Sequence, residues 1–275
     1  MTETLLLPFQ FGFMRNAFLI ALIVSVPTAL LSCFLVLKGW ALMGDAVSHA
    51  VLPGIVLAYV AGIPLILGAF GAGMLTALAT GYLAKNSRVK QDTVMGVVFS
   101  GMFGLGIVLY TAITPEVHLD HILFGNILGI GRDDFLSAGS ISAVVGLVLI
   151  LKWRDFALLV FDPVQARVAG LPVAWLHYGM LAMISAVVVA MLSAVGIILS
   201  VALLIAPGAI AFLLTRRLQA MLALSVIIGA GSSLAGIWIS FWLDSAPAPT
   251  IVVVMTGLFT LVFLWRQMTH HRDAA

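Results

Sequence analysis

Residues 16–37 read NAFLIALIVSVPTALLSCFLVL, with no charged side chain between Arg15 and Lys38. As a helix rising about 1.5 Å per residue this stretch reaches about 33 Å, enough to cross a hydrocarbon core of about 30 Å. Outward from it, comparable apolar blocks recur at 44–62, 66–84, 92–113, 134–151, 173–193, 195–214, 219–243 and 249–265, divided by short polar breaks. Only 9% of the 275 residues are charged and 63% are hydrophobic, against roughly 25% charged in a soluble domain. The chain is therefore expected to be all-α, a polytopic transmembrane bundle of eight or nine spans. Eight remains open because Gly62-Ile63-Pro64 and Ser193-Ala194-Val195-Gly196 are short enough for a neighbouring segment to be re-entrant. No stretch between spans is long enough to build its own core, so residues 1–275 are expected to form one membrane domain, with any soluble machinery on a separate chain.

A net charge of +2 gives no argument for nucleic acid. The single cysteine, Cys33, lies inside the first apolar block, which leaves no disulfide framework and no cysteine metal cluster. Met1 to Met14 contain Glu3 and no Lys or Arg, so the basic start of a cleavable signal is missing and the first span is expected to be retained. With nine spans and the N-terminus outside, 11 of the 13 basic residues fall inside: Lys38, Lys85, Arg88, Lys90, Lys152, Arg154, Arg167, Arg216, Arg217, Arg266 and Arg272. Only Arg15 and Arg132 fall outside, which fits the excess of positive charge on cytoplasmic loops and gives a cytoplasmic C-terminus.

This partition leaves two polar stretches on opposite faces. Residues 114–133 are expected outside and carry Glu116, His118, Asp120 and His121. Those side chains could hand a metal inward, or could simply be solvated loop residues. Residues 152–172 are expected inside. They include a short helix from Pro163 to Ala169, opened by Asp162 as N-cap and closed by Gly170, which is either a docking element or a plain interhelical turn. His177 reads as a packed histidine, and His270 and His271 as part of a polar tail.

Asp45 and His49 stand apart from these. They lie four residues apart in GDAVSHAVLPG, residues 44–54, so one helix face carries both with Cβ atoms about 6 Å apart. A carboxylate at membrane depth is costly and by default a functional candidate. Asp45 could instead cap the second span, and His49 could bond a neighbouring helix. With no Lys or Arg nearby, the pair favours a cation site. One imidazole with one carboxylate suits Mn²⁺, Fe²⁺ or Zn²⁺ better than an alkali ion or Ca²⁺. Two ligands are too few for one chain; a second copy across a two-fold axis would bring four. Gly44, Ala46, Ala50 and Gly54 keep the surrounding surface small, for close packing or for a path, and Pro53 removes a backbone donor near His49. No phosphate-binding loop, H-E-x-x-H helix or G-x-S-x-G turn is present, so the chain is not expected to hydrolyse ATP or act as an enzyme.

GDAVSHAVLPG at 44–54, HILFGNILGI at 121–130, FDPVQARVAGLP at 161–172 and LLIAPGAIA at 203–211 together resemble the membrane permeases of ATP-binding-cassette importers for manganese, zinc and iron, most of all the manganese and iron branch. The resemblance implies a multi-pass protein of the bacterial inner membrane working as a homo- or heterodimer. It also implies a separate cytoplasmic ATPase, which binds the ATP, and an extracellular or periplasmic metal-binding protein that delivers the ion. By the same resemblance Asp45 and His49 are pore metal residues, with His118, Asp120 and His121 as further candidates, and Asp162, Pro163, Gln165, Ala166 and Gly170 dock the ATPase. The rival expectation is an ion-coupled secondary metal carrier in which Asp45 carries the coupling ion. An intramembrane metalloenzyme would need a third protein ligand, and none is visible in the sequence.

Overall fold

The computed structural model describes residues 7–113 and 127–273. Among them are the helices α1 (Gly12–Lys38), α2 (Met43–Ala50), α3 (Leu52–Ala61), α4 (Leu65–Asn86), α5 (Gln91–Ile113) and α6 (Arg132–Phe161). There follow α7 (Pro163–Val168), α8 (Val173–Leu192), α9 (Ala194–Leu214), α10 (Leu218–Leu243) and α11 (Pro247–Asp273). Taking α2 with α3 as one span, nine segments of the described residues are long and apolar enough to cross a membrane.

Both doubtful joints are sharp turns. Gly62 closes α3 with φ 67°, its N–H donating to Tyr59 and the next N–H, of Ile63, to Ala58. The same left-handed close recurs at Gly39, where Trp40 N–H donates to the Leu35 carbonyl at 2.8 Å. Glycine takes such a φ without steric cost, and the crossed bonds satisfy carbonyls that a helix end would orphan. At the other joint the turn falls in the first residues of α9, where Gly196 takes the non-helical φ 81° and ψ 173°.

Neighbouring contacts give the direction of each arm. Gly81 and Gly73 of α4 lie against His177 and Ser185 of α8 in that order, so α8 runs antiparallel to α4. Gly44 lies against Leu204, and Gly208 lies against the backbone of Ser32. Leu37, Leu213, Arg217 and Phe161 then meet in one cavity, so α1, α6 and α9 end on the same face. The chain reverses at Gly196, and α8 and α9 are two arms rather than one bent rod.

That common face is basic. One cavity on it takes in Arg216, Arg217 and Arg266, and a second takes in Lys38, Lys85 and Arg167. At the opposite end Pro64, Leu192, Asp133 and Asp134 line a third cavity.

Two departures from the expected boundaries matter for function. The block expected at 134–151 continues as helix to Phe161, so the first ten residues of the 152–172 stretch belong to α6. Lys152 and Asp155 pair at 3.2 Å across one turn, and Phe156 and Leu159 are buried, so charge ended the apolar reading without ending the helix. The hydrogen-bond ladder of the second span is interrupted: α2 stops at Ala50 and α3 starts at Leu52, with Pro53 in its first turn, while Val51 between them keeps helical φ −73° and ψ −18°. Where Pro53 stands, the carbonyl of His49 loses its i+4 donor.

The small residues serve packing. A Cβ on Gly54 would fall on the carbonyl of Gly68, and one on Gly68 would fall on that of Gly54, so α3 and α4 cross backbone to backbone.

Candidate metal site and docking helix

Every residue of α2 is buried except Asp45 and His49. Their side chains keep 41% and 30% of their exposure, so the helix is packed on all sides but the one bearing the two ligand-type groups. His49 Nε2 lies 3.5 Å from Asp45 Oδ1, which puts both within reach of one cation. Asp45 is not a cap. The N-cap of α2 is Leu42, and it makes no side-chain bond to the first turn. Asp45 instead presents its backbone carbonyl to Ser48 Oγ at 2.8 Å.

The imidazole is held by two rings that composition and spacing alone did not single out. Phe99 and Phe103 of α5 each stand 5.6 Å from it, centroid to centroid, tilted at 55° and near-perpendicular at 78°. The signal was present: Phe99 and Phe103 are themselves four apart, one face of α5 meeting one face of α2. Phe99 and Phe103 fix the ring plane and wall off one side of it. Among the described residues no third His, Cys, Asp or Glu joins the pair, so one chain offers two ligands. Glu116, His118, Asp120 and His121 lie outside the described residues.

On the basic face, Asp162 Oδ1 accepts hydrogen bonds from Val164 N–H and Gln165 N–H, each at 2.9 Å. This is the expected N-cap, followed by Pro163 at the first helical position. Gly170 adopts φ 78°, and Leu171 N–H donates back to the Ala166 carbonyl at 3.0 Å, which closes the helix as expected. Asp162, Pro163, Gln165 and Gly170 are exposed. Ala166 is not. It is fully buried and seats α7 against the bundle, so its side chain cannot meet a partner. Outward from α7 stand Val164 at 69% and Val168 at 82% exposure, with Trp175 nearby at 81%. These apolar side chains lie open beside the capped helix. His177 is packed, as expected, edge-on to Trp40 at 5.3 Å.

An all-α bundle with nine membrane-length helices among its described residues, an acid–histidine pair on the second of them and a capped surface helix defines a polytopic membrane protein. The model of the ABC 3 transport family matches residues 10–266. A probable iron transport system membrane protein of Haemophilus influenzae is 49% identical over 98% of this chain and 99% of its own length. The chelated iron transport system membrane protein YfeD of Yersinia pestis is 50% identical, over 97% of this chain and 90% of its own. The manganese transport system membrane protein MntC of Halalkalibacterium halodurans is 45% identical, over 93% and 88%. Among solved structures, PsaBC from Streptococcus pneumoniae in complex with Fab superposes with a TM-score of 0.84 at 34% identity, covering 96% of this chain and 95% of that one. The chain belongs to the ABC 3 transport family and is a membrane-spanning permease subunit of an ABC transporter.

Proposed function

We propose that this permease carries a divalent transition metal, manganese or ferrous iron ahead of zinc, across the bacterial inner membrane into the cell, through a site formed by Asp45 and His49. The observation that carries the reading is that pair: two metal-type ligands 3.5 Å apart on the one open face of an otherwise buried helix. The relatives named for iron and manganese transport support the choice of ions. The basic face is taken as cytoplasmic, since Lys and Arg gather there, which puts the C-terminus inside. A second permease chain covers the open face of α2 and completes the ligand set. A separate ATPase docks on α7 through the surface around Asp162, Pro163, Gln165 and Gly170, and a metal-binding protein delivers the ion at the opposite face. The single transmembrane unit spans the whole chain, with coupling concentrated in residues 162–170.

The test is metal uptake by proteoliposomes holding the permease, its ATPase and the metal-binding protein, measured across Mn²⁺, Fe²⁺ and Zn²⁺. D45N and H49A, folded and assembled, should abolish ATP-dependent uptake. Full activity in either would refute the site, and uptake on an ion gradient without the ATPase would refute the coupling.

A further inference from the structure

On the basic face the ends of five spans enclose a cavity of about 360 Å³. Three arginines rim it, Arg216 and Arg217 at the α9–α10 turn and Arg266 on α11, while Leu37, Phe161, Phe212, Leu218 and Met221 form its floor. Among the described side chains none of the three arginines has a carboxylate within salt-bridge distance, and the pairs that do form lie elsewhere. The start of α10 adds to the positive field, because its N-cap, Arg217, provides no side-chain acceptor for the first-turn N–H groups.

From this juxtaposition, we infer that the cavity is a binding site for one anionic phospholipid of the inner leaflet, its phosphate among Arg216, Arg217 and Arg266 and its acyl chains along Phe161 and Phe212. Charge complementarity selects an anion, and the floor selects one with hydrocarbon attached. Phe161 and Phe212 stay 63% and 53% exposed at the cavity, which favours lipid tails over an acidic peptide. The cavity also lies at the perimeter, since only 11% of the α11 span is covered by the rest of the bundle. Basic pockets between spans on the cytoplasmic side suit anionic headgroups.

Native mass spectrometry of the full chain, delipidated and titrated with phosphatidylglycerol or phosphatidylcholine, tests the inference. Wild type should hold one phosphatidylglycerol in preference to phosphatidylcholine. At about fivefold in affinity per basic residue near an anionic lipid, R216Q/R217Q/R266Q should bind it on the order of a hundredfold more weakly. R216K/R217K/R266K should retain most of the binding, and so should K38Q/K85Q/R167Q, which removes the same charge from the other basic cavity. R266Q alone should lose about fivefold, which keeps the test decisive if the triple variant fails to fold. Equal retention of phosphatidylcholine, an equal loss in the K38Q/K85Q/R167Q variant, or undiminished phosphatidylglycerol binding by the triple glutamine variant would overturn the site. Loss of ATPase binding with lipid binding intact would assign the arginines to a protein partner instead.

Discussion

Replacing Asp162 by Ala isolates the cap of α7. The helix has six residues, far fewer than a helix needs to persist in water on its own. Four features hold it: two 2.9 Å bonds to Asp162 Oδ1, the preset φ of Pro163, the turn at Gly170 and the burial of Ala166. The truncation would orphan both N–H groups, at about 0.5–2 kcal/mol for a lost N-cap. The cap is exposed and water can replace it, so the lower half of that range applies, about 1 kcal/mol or roughly fivefold in the ratio of ordered to disordered helix. If the ATPase binds only the ordered helix, its Kd for the permease in nanodiscs should rise by up to about fivefold, and coupled ATP hydrolysis at limiting ATPase should fall to match. D162N keeps an acceptor in the same place and should stay within about twofold of wild type. Asn as weak as Ala would show that the charge itself meets the partner, and an unchanged Kd in D162A would refute the idea that the cap orders the docking surface.

Two further outcomes follow from the geometry. F99A and F103A should each weaken the apparent affinity for transported metal by roughly 2–10-fold, at about 0.5–1.5 kcal/mol per ring pair, while leaving the melting temperature nearly unchanged; no effect on affinity would make the rings mere packing. G54V places side-chain atoms where the Gly68 carbonyl stands, and overpacking of about 1–3 kcal/mol should show as a lower melting temperature and poorer assembly, which a wild-type melt would contradict.

The span pattern was legible because lipid imposes it: a helix that must cross about 30 Å of hydrocarbon advertises its length in apolar residues. Where that constraint lapses, so does the signal. Past Leu151 the α6 helix leaves its apolar block, and Lys152 and Arg154 look like loop residues although an ion pair and buried Phe156 and Leu159 continue the helix. The Asp45–His49 pair and the Asp162 cap were readable because both are local, set by spacings of two to four residues. Phe99 and Phe103 show a shared helix face by their spacing of four, but among the 16 phenylalanines of the chain that spacing does not tell which helix a ring will face. The inward turn of Ala166 was equally hidden, because a six-residue helix gives too short a period to separate a buried face from an exposed one.

Two ligands per chain also bear on how the transporter releases its cargo. A closed site of four protein ligands holds a metal tightly, whereas a transit site must let go each cycle. At the proposed shared site each protomer would supply one carboxylate and one imidazole from an open face, so affinity would depend on how the two faces meet, and any rearrangement of the helices that separates them would lower it. Val51 keeps helical backbone, φ −73° and ψ −18°, so α2 and α3 form one span, which lies against α4 through Gly54 and Gly68 and against Leu204 through Gly44. A linked dimer carrying D45N and H49A in only one half therefore separates two arrangements. If both halves build one site, uptake should fall far below half of wild type, because the remaining pair cannot hold the ion alone. Retention of half the activity would mean that each chain has a complete path of its own, and the shared site would be wrong.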